Sequence, residues 1–124
     1  RLQRTGRGGL NMPSAAMRGP LLTSADAKWV EDRLLPYLGV KSVEITQDAE
    51  YDKVYPDIWI SGSVITVTPE WARQSLHERR KRLLHEGLHL AKGLGHGPKE
   101  RAMGYYSQPA KDSYTKKLYD KEFR

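Results

Sequence analysis

The chain of 124 residues is long enough for one domain with a single hydrophobic core and too short for two. It has no cysteine, which excludes disulfide bonds and zinc sites built on thiolates. Its net charge of +6 favours acidic partners. No apolar run approaches the roughly 20 residues that cross a bilayer, so we expect no membrane partner. Because neither a signal peptide nor a cysteine is present, we favour a cytoplasmic location. We also favour a monomer.

The first 22 residues are rich in glycine and proline and show no hydrophobic period. They predict an extended or flexible N-terminal arm without regular structure, followed by a single domain over residues 23–124. Arg4 and Arg7 stand in an arginine-glycine stretch of the kind found in some nucleic-acid-binding segments. The arm is therefore a candidate for weak contact with nucleic acid.

A helix is predicted directly after the arm. Thr23 or Ser24 is a suitable N-cap, and apolar residues then recur with a helical period. Pro36 lacks a backbone donor and its ring clashes with the preceding turn. We therefore expect the helix to kink or end near Leu35 and to close at Gly39.

The middle of the chain predicts a small sheet. Residues 41–46 alternate apolar and polar side chains, as a half-exposed strand does. Residues 58–60 and Val64–Val67 are two short apolar or β-branched runs joined by a Ser-Gly-Ser turn, which is typical of a hairpin. Thr68 and Pro69 then suit the cap and first position of a new helix.

The next segment carries the strongest functional signal. His85, Glu86 and His89 form the pattern His-Glu-x-x-His, and His96 follows. Positions i and i+4 of an α-helix lie above one another, so the imidazoles of His85 and His89 can bind one ion. Gly93 ends the helix and lets the chain turn, as a third ligand from outside the helix requires.

These residue types suit a catalytic zinc ion. Zinc binds neutral imidazole nitrogen at about 2.0–2.1 Å and, in catalytic sites, takes three protein ligands and keeps one position for water. The carboxylate of Glu86 can accept a proton from that water and pass it to a leaving group. The alternative is a surface helix whose histidines bind nothing. His77, which stands among charged residues, is predicted to be solvated.

The segment resembles the zincin metallopeptidases, and within them the metzincins, in which a third histidine and a methionine-containing turn follow His-Glu-x-x-His. The resemblance covers residues 83–106. It implies a small zincin-like α+β domain with a short mixed sheet, an active-site helix and a C-terminal helix. It also implies one bound Zn²⁺ and endopeptidase-like hydrolysis of peptide or protein substrates. Met103 would lie under the metal, and Tyr105, or in second place Tyr106, would be a ligand or an oxyanion donor.

The sequence departs from the family pattern at the third histidine. His96 follows His89 by seven residues where the family has six, and the glycines around it can absorb the extra residue. We therefore take His85, His89 and His96 as the metal ligands, with Glu86 and Tyr105 as catalytic residues. The alternative third ligand is a later carboxylate: Glu100, Asp112 or Glu122.

Two further expectations concern the surroundings of the site. An edge strand beside the cleft binds extended substrate in zincins, and Val64–Val67 or residues 59–61 are candidates for that role. Residues 110–123 have an amphipathic helical period and are expected to pack under the metal site. The alternative function is a non-catalytic, zinc-stabilised basic module that binds nucleic acid or protein. A zinc hydrolase acting on a non-peptide amide is a third possibility.

Overall fold

A computed structural model describes residues 4–5, 8–9, 21–53, 56–93 and 113–124. In chain order the elements are β1 (Arg4–Thr5), β2 (Gly8–Gly9), α1 (Ser24–Trp29), a π-helical turn (Val30–Leu34), α2 (Leu35–Leu38), β3 (Glu44–Gln47), β4 (Ile58–Ser61), β5 (Val64–Val67), α3 (Pro69–Ala72), α4 (Leu76–Lys92) and α5 (Ser113–Glu122). These elements confirm the predicted α+β class. Among the helices of the described residues, none combines the length and apolar character needed to cross a lipid bilayer.

Near the N-terminus, β1 and β2 pair in antiparallel fashion, with Arg4 opposite Gly9. The expectation that residues 1–22 lack regular structure is therefore wrong for these two short strands, because glycine also permits the extended backbone with which β2 pairs to β1. Further along, Leu22 is buried in the core, and its backbone N–H donates to Oε1 of Gln47 at 3.0 Å. This contact ties the entry to α1 to the last residue of β3.

The first helix begins as predicted, and it contains a wider, π-helical turn just before its proline. The hydroxyl of Thr23 accepts the backbone N–H of Asp26, which confirms the cap. In the π-helical turn, the N–H of Leu35 bonds to the carbonyl of Val30, five residues back. This wider turn accommodates Pro36, so the helix continues to Leu38 instead of ending near Leu35. Gly39 closes it with φ of 75°, as predicted.

The sheet has the strand order β3-β5-β4 and is mixed. β3 runs parallel to β5, whereas β4 and β5 form the predicted antiparallel hairpin. Gly62 in the hairpin turn has φ of 62°, a conformation that favours glycine. The buried apolar side chains of the sheet are Ile45, Ile58, Ile65 and Val67.

The strand order corrects one of the two candidates for a substrate-binding edge. β5 is hydrogen-bonded to a neighbour on each side, so Val64–Val67 has no open edge for an added strand. β4 pairs with β5 alone among the strands of the described residues, and it packs against α4. The candidate that remains is the segment of residues 59–61, which lies within β4.

The chain then forms two helices, and Ser75 separates them. Thr68 caps α3 by accepting the N–H of Trp71, and Pro69 takes the first position, as predicted. Ser75 caps α4 by accepting the N–H of Glu78. At the other end, Gly93 has φ of 66° and ends α4 in the left-handed conformation, as the sequence indicated.

The core brings α1, the π-helical turn, α2, the sheet, α4 and α5 together. Among its fully buried members are Trp71 after the sheet, Leu84 on α4 and Tyr119 on α5. The ring of Tyr119 lies beside that of Trp29, with centroids 6.3 Å apart, and stacks on the ring of Phe123. The C-terminal helix is thus held in the core, as its amphipathic pattern predicted.

Candidate metal centre

The helix α4 carries both histidines of the motif, and its apolar residues around them are buried. Leu83, Leu84 and Leu88 are completely buried and fix the rotation of the helix. Gly87 lies against α2: a Cβ atom added there would stand 2.6 Å from Cδ1 of Leu38. The glycine inside the motif therefore lets the two helices approach closely, and this approach determines where the adjacent motif residues lie.

His85 and His89 lie one turn apart, and their rings are close. Their ring centroids are 4.9 Å apart, and the ring planes are nearly perpendicular at 81°. Two imidazoles that bind one zinc ion at about 2.0–2.1 Å in tetrahedral geometry have centroids roughly 5 Å apart. The observed pair therefore fits two ligands of one ion.

The two rings differ in their surroundings. His85 is 3% exposed, whereas His89, in the final turns of α4, is half-buried. On the buried side, Nδ1 of His85 lies 3.4 Å from the hydroxyl oxygen of Thr115 on α5. An imidazole uses one nitrogen for a metal and the other for an orienting partner, so this contact matches the second role.

Glu86 stands between the histidines in sequence and is 8% exposed. It is three positions before His89, which makes these two residues neighbours on the helix surface. Glu86 is thus largely removed from solvent and lies nearly one helical turn before the half-buried His89. That position suits a group that exchanges protons with a reactant in a site that excludes bulk water.

The predicted third ligand lies outside the described residues. His96, Tyr105, Met103 and Tyr106 lie outside them, as do the alternative ligands Glu100 and Asp112. Within the described ranges, no group of three or more histidines, cysteines or acidic residues is placed to bind a metal. Glu122 is described, and it forms no such group with the histidine pair. It is therefore wrong as a third ligand.

The basic run before the motif, the Arg-Arg-Lys-Arg sequence of residues 79–82, is engaged by carboxylates within the protein. Asp26 on α1 has no exposed surface, and its carboxylate accepts two bonds from Arg79, from Nε at 3.0 Å and from Nη2 at 3.3 Å. The guanidinium of Arg80 approaches the same carboxylate at 3.8 Å and lies over the ring of Trp29, 5.3 Å from its centroid. These contacts join α1 to the N-terminal half of α4.

The other half of the basic run connects α4 to the sheet. Nε of Arg82 lies 2.7 Å from Oδ2 of Asp57, just before β4, and its Nη1 lies 2.6 Å from Oε1 of Glu78. Burial raises the pKa of Asp57, although Arg82 opposes this effect. Burial also acts to raise the pKa of Glu78, but hydrogen bonds from Lys81 and Arg82 outweigh it and lower that pKa. The carboxylate of Asp57 thus links α4 to the start of the edge strand, whereas Glu78 pairs with cations of its own helix.

The remaining histidine is not solvated. Nδ1 of His77 lies 2.7 Å from the hydroxyl oxygen of Tyr119, and the two rings meet edge to face at 5.7 Å. The prediction of a solvated His77 is wrong because α5, distant in sequence, covers this part of α4. His77 is thus part of the contact between the two helices.

Sequence reasoning did not select Thr115. It lies on the same helical face as Tyr119, four positions later, and both are buried. A polar residue on the buried face of an amphipathic helix needs a partner in the core, and that was the available signal.

Comparison with known proteins gives no match: no protein-family model, curated protein or solved structure is significantly similar to this chain.

Proposed function

We propose that the protein is a zinc-dependent peptidase, endopeptidase-like in action, built as a small metzincin-like zincin domain. The observation that carries this proposal is the pair of perpendicular imidazoles on α4, 4.9 Å apart, with Glu86 beside them in a nearly closed environment. A surface helix with histidines that bind nothing does not require His85 to be buried. It also does not require an orienting hydroxyl at Nδ1.

The roles follow from the donor types. His85, His89 and His96 would hold the ion, and the chemistry that a bound zinc ion supplies is Lewis acidity toward the scissile carbonyl and the attacking water. Glu86 would accept the proton of that water and then donate it to the amine leaving group. Tyr105 would donate a hydrogen bond to the developing oxyanion.

The proposed substrate is an extended peptide segment. β4 is an edge among the described strands and packs against α4, so an added strand would run beside the helix that carries the histidines. Backbone pairing to such an edge binds peptides with little dependence on side chains, whereas pockets along the strand give selectivity. This arrangement favours peptide bonds over small non-peptide amides, which have no backbone to pair.

Two matched variants test the proposal in the full chain. The measurements are zinc content by elemental analysis and cleavage of a protein substrate with separated products. We expect Glu86→Gln to retain zinc and to lose at least about 100-fold in turnover, the range of a missing general base. His89→Ala should lose both zinc and turnover. Purified wild-type protein that binds no zinc, or full turnover in the Gln variant, would contradict the proposed reaction.

A second candidate is the zinc-stabilised basic module that binds nucleic acid or protein without catalysis. The burial of His85 and Glu86 favours it, since structural zinc sites are closed. In contrast, the basic run of α4 is engaged by Asp26 and Asp57. Binding to a DNA or RNA duplex that weakens steeply with salt concentration, together with zinc content but no turnover, would favour this candidate.

A further inference from the structure

We propose that Thr115 is a positioning residue for the metal centre, which orients the imidazole of His85 through its hydroxyl group. The inference rests on the proposed zinc site and adds to it a residue from the C-terminal helix. Thr115 does not touch the reacting atoms in this proposal. Its effect is transmitted through His85.

The first support is the contact itself. The hydroxyl oxygen of Thr115 lies 3.4 Å from Nδ1 of His85, and the two residues are separated by 30 positions in the chain. The side chains are 1% and 3% exposed, so bulk water does not reach them to replace the hydroxyl. A hydrogen bond made by a buried side chain is costly to lose without replacement.

The second support is the direction of the proton. When a neutral imidazole binds a metal through Nε2, it carries its proton on Nδ1 and donates it to an outer partner. The hydroxyl of Thr115 is able to accept that proton, so the contact is compatible with this tautomer of His85. The ring is then held with Nε2 directed away from α5.

A second contact of the same kind between the same helices provides a control for the role of Thr115. The hydroxyl of Tyr119 lies 2.7 Å from Nδ1 of His77, so α5 bonds to α4 at one histidine inside the motif and at one outside it. If both contacts serve only to join the helices, removing either hydroxyl should have the same kind of effect. If Thr115 orients a ligand, only its removal should change metal binding.

The test uses Thr115→Val, which keeps the shape and removes the hydroxyl, and Thr115→Ser, which keeps the hydroxyl. Tyr119→Phe is the matched control, because it removes the hydroxyl bond at His77 and preserves the buried ring. Zinc affinity is measured by competition with a chromophoric chelator on the full-length chain. The visible absorption of the Co²⁺-loaded protein reports the geometry of the site, and unfolding of the metal-free protein reports stability.

We expect the Val variant to bind zinc about tenfold more weakly, at the lower end for loss of an outer partner, and to have an altered Co²⁺ spectrum. The Ser variant should recover most of the affinity, and Tyr119→Phe should bind zinc as the wild type does. Equal affinity in the wild type and the Val variant would overturn the proposal, as would equal weakening by Val and by the Tyr119 control.

Two outcomes need separate treatment. If the wild type itself binds no zinc, the proposed function fails, and the positioning role fails with it. If the Val variant does not fold, Thr115→Ala and Thr115→Ser are compared in the same assay. Equal zinc affinity in these two variants would then refute the role of the hydroxyl, whereas weaker binding by the Ala variant alone would support it.

Discussion

The buried carboxylate of Asp26 provides the sharpest test of what positions α4. The perturbation is Asp26→Asn, which preserves the shape of the side chain and removes its charge. In the wild type this carboxylate accepts two bonds from Arg79 and lies 3.8 Å from Arg80, with no exposed surface. The substitution therefore leaves two largely buried cations facing a neutral amide.

The expected loss of stability is large for a single isosteric substitution. Removing one partner of a buried ion pair costs about 3–5 kcal/mol, because the remaining charge lies in a medium of low polarity. Asparagine retains one acceptor oxygen, and the guanidinium of Arg80 still lies over Trp29. We therefore expect a decrease in the free energy of unfolding of about 3 kcal/mol, at the lower end of that range.

Asp120→Asn is the matched control. Asp120 also lies near two cations, Lys116 at 3.2 Å and Arg124 at 3.7 Å, but its side chain is 40% exposed. Exposed pairs contribute about 0.5 kcal/mol or less. The free energies of unfolding of both variants and of the wild type are measured by urea titration, and they are compared provided that their dependence on urea concentration is equal. A loss below about 1 kcal/mol for Asp26→Asn, or a loss equal to that of the control, would refute the reasoning.

Two other predictions concern packing and pH. Gly87→Ala should lower the thermal unfolding midpoint although alanine favours helices, because the new Cβ would lie 2.6 Å from Cδ1 of Leu38. Adding Leu38→Ala should relieve this clash. If the two substitutions instead lowered stability additively, the proposed clash would be contradicted. The pKa of Glu78 is lowered in the folded protein. The wild type should therefore be more stable than Glu78→Gln above pH 4.5, and this difference in the free energy of unfolding should disappear as pH falls through the pKa of Glu78 in the folded protein. The pKa of Asp57 is raised, so the wild type and Asp57→Asn should differ least below pH 3.8, where both side chains are neutral, and the wild type should lose stability relative to the variant as pH rises through the pKa of the folded protein. Unfolding measured across this pH range checks both signs, and parallel curves would contradict them.

Features that depend on neighbours within one helical turn or one hairpin were predictable from the order of residue types. The cap at Thr23, the glycine ends at positions 39 and 93, and the hairpin around Gly62 all follow from local backbone chemistry. The spacing of His85 and His89 is also local, and it predicted their proximity because i and i+4 share a helical face.

Contacts between elements that are distant in the chain were not predictable in this way. The parallel pairing with β3 places β5 in the centre of the sheet and leaves β3 and β4 as its two edges. Asp26 reaches Arg79 across 53 positions, and Thr115 reaches His85 across 30. Such contacts depend on how whole helices and strands pack around a shared core, and a local pattern of residue types does not encode that packing.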